Sequence, residues 1–149
     1  MSKTTRGIKF GELTNHTGYH IRRTYSTFQR LFAAYGREYL VKSQQSSILV
    51  LTRENPGITP AAIADAIEIE RSLMARLLTD LSERGFIETR TLADDGRKKG
   101  LYITPRGRKF IRKVMDTFWL DLEAALTKNL TQSERRTLIR LLKKIYTPR

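Results

Sequence analysis

At Gly85 the spacing of apolar residues changes from a period of roughly 3.6 to one of roughly 2, so a helix must hand over directly to a strand. Upstream, Leu73, Leu77, Leu78 and Leu81 fall on one side of a helix predicted from about Glu70 to Arg84. A shorter helix precedes it. Thr59 can cap its free backbone N–H groups, and Pro60 takes the first helical position, where a missing N–H costs nothing. Ala62, Ile63 and Ala66 form its expected apolar face. Downstream, Phe86 to Thr91 is rich in strand formers, and Gly100 to Ile103 answers it across a turn. The tip runs from Asp94 to Lys99, where Asp95-Gly96 favours the turn and three cations follow.

Helix, turn, helix and basic hairpin in succession is the layout of a winged helix-turn-helix, which places its second helix in the DNA major groove. The expected fold is mainly α (α+β), with a two-stranded wing. The side of the second helix opposite its leucines carries Arg71, Ser72, Ala75, Arg76, Thr79 and Asp80. Ser72 and Arg76 are the expected base-edge readers, Arg71 is divided between base and phosphate, and Thr79 is a further candidate. In the wing, Arg97, Lys98 and Lys99 are placed to meet phosphate. Charge agrees with this reading: 28 Lys and Arg against 15 Asp and Glu give +13, which favours a polyanionic partner, nucleic acid before anionic membrane. Eight of those cations lie between Arg97 and Lys113 without an intervening acid.

The flanks look like support. Residues 1–13 form a basic arm, and Ile21, Tyr25, Phe28, Phe32 and Tyr35 make the apolar stripe of a helix predicted from Thr14 to about Tyr35. Beside that stripe, Tyr19, His20, Arg22, Arg23 and Arg30 either line an anion-binding pocket or form a solvated face. A helix from Ser43 to Arg53, with Ile48 and Leu51 inward, ends before the Pro56-Gly57 turn. Thr104-Pro105 opens a long helix to about Asn129, whose apolar positions cover more than one stripe. Thr131 and Glu134 form a capping box for the last helix, with Leu138, Leu141, Leu142 and Ile145 as its packing face. The expected divisions are 1–37 for the arm and first helix, 38–104 for the DNA-binding unit and 105–149 for the terminal helices, all in one integrated fold.

Catalysis finds no support: the sequence has no H-E-x-x-H, no phosphate-binding loop, no G-x-S-x-G and no cysteine nucleophile. Without cysteine it also has no disulfide or thiolate metal site, and two histidines do not argue for a metal, so no cofactor is expected. No apolar run reaches the roughly 20 residues of a membrane span and the N-terminus has no apolar signal core, so no membrane partner and a cytoplasmic location are expected.

The chain also resembles the MarR family of bacterial transcription regulators. The residues that carry this are Leu81 with Gly85, Phe86 and Ile87 at the end of the second helix, Asp95 and Arg97 in the wing, and Ile103, Thr104 and Gly107 opening the next helix. The match departs near Leu40, where Leu-Val stands in place of the family's Leu-Thr. The resemblance implies a homodimer formed through the terminal helices, a pseudo-palindromic double-stranded DNA operator, and most often repression relieved by a small molecule. It implies that Asp95 orients Arg97. The segment Gly18 to Arg23 is similar to regulators of aromatic-acid breakdown, which implies an anionic aromatic effector, an aromatic acid or its CoA thioester, held by Tyr19, His20, Arg22, Arg23, Tyr25 and Phe28. The alternative is an architectural protein that coats DNA with little sequence preference. A third class, a protein-interaction scaffold, would lack DNA affinity altogether.

Overall fold

The computed structural model describes residues 7–39, 42–92 and 95–147, with backbone alone at 95–97. It separates into two compact units, Tyr35–Ala124 and a second made of Met1–Ala34 with Ala125–Arg149. After a 3-10 turn at Gly11–Asn15, the helices are α1 (Thr17–Gly36), α2 (Ser43–Glu54), α3 (Pro60–Ala66) and α4 (Arg71–Glu83). Strands β1 (Ile87–Leu92) and β2 (Asp95–Ile103) pair antiparallel, and α5 (Pro105–Val114), α6 (Leu120–Thr127) and α7 (Gln132–Tyr146) follow. This is a mainly helical fold with a two-stranded wing.

The central unit is built on α2, which packs against α4, β2 and α5. Its buried residues Gln45, Ser46, Ile48, Leu49 and Thr52 fall on one stripe. Leu49 and Thr52, rather than Leu51, complete the inward face begun by Ile48, and Leu51 is only half-buried. Lys42 is the N-cap of α2, so the helix begins one residue beyond its cap as Ser43. Ile63 and Leu81 from the two-helix motif, Leu101 from the wing, and Ile111, Val114, Phe118 and Leu122 beyond it are all almost completely buried. Each such side chain contributes about 1.5–3 kcal/mol by leaving water.

Several expected faces shift. In α3 the buried pair is Ile63 and Ala64, while Ala62 and Ala66 are exposed. In α4 the buried residues are Met74, Leu77 and Leu81, while Leu73 and Leu78 are half-buried. α1 starts at Thr17, because Thr14 belongs to the preceding 3-10 turn. The long helix after the wing is interrupted by a π-helical turn, Met115–Trp119, and ends at Thr127.

In the second unit α7 has no buried residue. Leu138, Leu141, Leu142 and Ile145 are 40, 47, 38 and 60% exposed, so the expected packing face is open in the single chain. The capping box forms as expected. The Thr131 N–H donates to Glu134 Oε2 at 2.8 Å and the Glu134 N–H donates to Thr131 Oγ1 at 3.3 Å. The Thr131 N–H and hydroxyl, both donating to Oε2 at 2.8 Å, hold the Glu134 carboxyl below its ordinary range.

Candidate nucleic-acid interface

The handover at Gly85 is a helix stop of defined geometry. Gly85, at φ +69°, donates to Ser82 O at 2.8 Å, and the Phe86 N–H donates to Leu81 O at 2.9 Å. Together these form a Schellman cap, closed by the burial of Leu81 and Phe86. α3 ends the same way, with Ile69 N–H donating to Ala64 O at 3.0 Å, but its left-handed position is Glu68 at φ +51°. Between these two stops α4 is set with Arg71, Ser72, Ala75, Arg76 and Thr79 exposed on the side opposite its buried residues. The Thr79 hydroxyl donates to Ala75 O at 3.1 Å, so towards a further partner it can act as an acceptor. Asp80 differs from its neighbours: it accepts from Gln45 Nε2 at 2.5 Å and from Arg84 Nη1 at 3.4 Å.

The wing is tied to the motif by backbone. Ile58 bridges Leu101, with Gly57 N–H donating to Leu101 O and Leu101 N–H donating to Ile58 O, both at 2.9 Å. A side chain at Gly100 would sit 2.7 Å from Gly57 O and 2.6 Å from Leu92 Cδ2, so that close approach requires glycine. Asp95 and Gly96 do not form the hairpin turn expected of them. β2 already begins at Asp95, which pairs with Leu92, and the register slips between Thr91 and Leu92. The link between the strands, 93–94, lies outside the described residues, as do the side chains of Asp95 and Arg97, and with them the expected Asp95–Arg97 bond. Lys98 and Lys99 are exposed.

At the base of the wing the pairing of Thr104 with Gly107 has a structural cause. Thr104 Oγ1 donates to Gly85 O at 2.7 Å and accepts from Gly107 N–H at 3.0 Å, joining the end of α4 to the start of α5. Phe86 and Phe110 stack with centroids 4.3 Å apart, and the guanidinium groups of Arg84 and Arg106 lie 4.7 and 5.6 Å from the Phe86 ring. Two residues not singled out in the sequence also stand in the wing. Arg90 lies 4.6 Å over Tyr102 and bonds Glu88. The two-residue spacing of Glu88 and Arg90 was the available signal, since it puts both on one face of β1.

The six effector candidates all lie on α1. Arg23 meets the Phe10 and Tyr19 rings at 5.7 and 5.9 Å and donates to the Tyr19 hydroxyl at 3.4 Å. His20 Nε2 is 2.8 Å from Thr14 O. Tyr25 stacks on Phe28 at 6.3 Å, and Arg22 is exposed. Within the central unit a separate cavity of about 330 Å³ is lined by Ser46, Ser47, Val50, Leu51, Ile67, Met115 and Trp119. Ser46 Oγ is buried there without a hydrogen-bond partner. Among the described residues no helix is long and apolar enough to cross a membrane, and no group of three acidic, histidine or cysteine side chains is arranged to hold a metal.

Comparison with known proteins agrees with this geometry. Residues 41–98 match the MarR family model. A Thauera aromatica protein assigned to transcriptional regulation of the hcr operon is 27% identical over 91% of this chain and 82% of its own length. The multiple antibiotic resistance protein MarR of Salmonella typhimurium is 31% identical over 70% of this chain and 73% of its own. The structure of the transcriptional repressor CouR bound to a 23-mer DNA duplex superposes with a TM-score of 0.86 and 27% identity, covering 93% of this chain and 97% of that one. The PcaV regulator of Streptomyces coelicolor, solved with its natural ligand, shares the fold at a TM-score of 0.80 and 20% identity, covering 93% of this chain and 96% of its own. This chain belongs to the MarR family of transcriptional regulators, a family of DNA-binding proteins and not of enzymes.

Proposed function

We propose that the protein is a homodimeric repressor that reads a pseudo-palindromic operator with α4, grips flanking phosphate with its wing, and is released by a small anionic aromatic molecule. The observation that carries the DNA reading is the exposed row Arg71, Ser72, Arg76 and Thr79, held between two Schellman caps beside a wing whose Lys98 and Lys99 face solvent. Arg76 and Ser72 read base edges, Arg71 and Thr79 assist, and Arg97, Lys98 and Lys99 neutralise phosphate, with Asp95 orienting Arg97. The open apolar faces of α1 and α7 support dimerisation: Ile21, Tyr25, Leu141 and Ile145 are each more than 40% exposed. DNA-bound CouR supports repression, and ligand-bound PcaV supports a small-molecule response.

For the effector, the Tyr19–Arg23 cluster offers rings and a guanidinium to an aromatic anion, with His20, Arg22, Tyr25 and Phe28 beside it on α1. The apolar cavity around Ser46 is large enough for a ring system, and its lining offers the hydroxyls of Ser46 and Ser47 but no charge. Selection of bound sequences from a random DNA pool tests the first part. A two-fold-symmetric consensus is expected, whereas equal affinity for all sequences would replace this reading with the architectural one. Titrating the DNA complex with aromatic acids and their CoA thioesters tests the second, with Arg23→Ala as the matched variant. Release that needs more than about millimolar ligand, only ~4 kcal/mol of binding, would remove the aromatic effector.

A further inference from the structure

We infer that the buried Gln45 and the Asp80 carboxylate form a latch that sets the rotation of α4, making them specificity-determining positioning residues that touch no base. The inference rests on the reading of α4 as the recognition helix. Gln45 is 2% exposed, and both ends of its amide are engaged. Its Oε1 accepts from the Lys42 N–H at 3.0 Å, closing the first turn of α2, and its Nε2 donates to Asp80 Oδ2 at 2.5 Å. The same carboxylate oxygen accepts from Arg84, whose guanidinium lies over Phe86 and Phe110.

This tie differs in kind from the rest of the packing of α4. Met74, Leu77 and Leu81 hold the helix by apolar burial, which is strong but nearly non-directional, so it tolerates small rotations and slides. A hydrogen bond to a charged acceptor weakens steeply when misaligned. Asp80 lies one helical turn beyond Arg76 and one residue beyond Thr79, so a rotation that lengthened the Gln45–Asp80 bond would swing those side chains across the groove. The latch also accounts for an acid among residues that face a polyanion: one of its carboxylate oxygens serves both Gln45 and Arg84.

The test measures affinity for the selected operator and for random DNA, and takes their ratio, which cancels the shared electrostatic contribution. Asp80→Ala should lower the ratio about tenfold, the equivalent of ~1.4 kcal/mol. Gln45→Glu places two carboxylates face to face and should do the same. Asp80→Asn keeps an oxygen for Gln45 Nε2 to donate to, and should hold the ratio within about threefold of wild type. The decisive variant combines Gln45→Glu with Asp80→Asn. The side-chain amide introduced at position 80 would then donate to one oxygen of the carboxylate introduced at position 45, whose other oxygen still accepts from the Lys42 N–H. This double variant should restore the ratio that Gln45→Glu alone loses. If Asp80→Ala and Gln45→Glu, folded by circular dichroism, keep the wild-type ratio, or if the double variant restores nothing, the latch is wrong. A wild-type ratio near one would instead defeat the recognition-helix reading itself.

Discussion

Gly107 and Gly18 are both helical glycines, yet alanine should have opposite effects at the two positions. A Cβ at Gly107 would lie 2.8 Å from the Phe86 carbonyl carbon, nearer still to its oxygen, and 3.0 Å from Ile103 Cγ1. The nearest atoms are backbone, and that carbonyl already accepts from the Thr104 N–H at 3.0 Å, so it has little room to give. Relief requires α5 to move away from the Phe86 turn. Overpacking of this kind costs about 1–3 kcal/mol. Loosening the Thr104 cap, whose hydroxyl serves Gly85 O and Gly107 N–H together, adds about 0.5–2. Against this, alanine gains about 1 kcal/mol of helix propensity. The net expectation for Gly107→Ala is a loss of roughly 0.5–4 kcal/mol. At Gly18 nothing lies within 4 Å of the added carbon, so Gly18→Ala should stabilise by about 0.5–1 kcal/mol. Urea unfolding followed by Trp119 fluorescence, the chain's one tryptophan, and by circular dichroism reads both. For Gly107→Ala the midpoint should fall by roughly 0.25–2 M at a slope of about 2 kcal/mol/M. A midpoint equal to or above wild type would refute the packing argument.

Arg76→Ala should cost about 1–3 kcal/mol on the preferred operator and much less on random DNA; equal losses would make it a phosphate anchor. Lys99→Ala should weaken binding to every sequence and lower the log-affinity against log-salt slope by roughly 0.9, and an unchanged slope would remove Lys99 from the phosphate contacts. Glu68→Gly should stabilise the fold by about 0.5–1 kcal/mol, because a left-handed residue other than glycine costs about 1–2 and glycine's own entropy returns part of it. A lower melting temperature would count against this. The carboxyl of Glu134 is held below its ordinary 4.5 by the Thr131 bonds, so its contribution is present above that value and is lost as pH falls through the depressed one. Helicity should therefore fall more steeply on acidification below 4.5 in wild type than in Glu134→Gln, and parallel titrations would defeat the assignment.

The features legible in the sequence were those enforced by local backbone chemistry. Thr59-Pro60, Thr104-Pro105, Thr131 with Glu134, and Gly85 each satisfy or terminate helix ends with residues close in the chain, and each stands where the spacing put it. Faces were less legible where a helix is short. In the two turns of α3, Ala62, Ala64 and Ala66 differ too little in hydrophobicity to say which is inward, and only contact with the rest of the unit selects Ala64. Met74 in place of Leu73 reflects the same ambiguity, since adjacent apolar residues are about 100° apart on a helix and both can be the flank of one stripe. Asp95-Gly96 carries a strong local turn preference, but strand pairing with Leu92 outweighs it. Gln45 and Asp80 are separated by a whole helix and a turn in the chain, and no period links them.

The bridge between Ile58 and Leu101 has a consequence for the DNA. Because the segment leading into α3 is hydrogen-bonded to the wing strand, backbone ties the hairpin to the two-helix motif, and under the proposed function hairpin and α4 meet DNA with a set opening. A duplex whose grooves do not match that opening must itself be deformed, and the energy of that deformation depends on base steps that no side chain touches. For the proposed operator, this predicts that part of the sequence is selected by its stiffness.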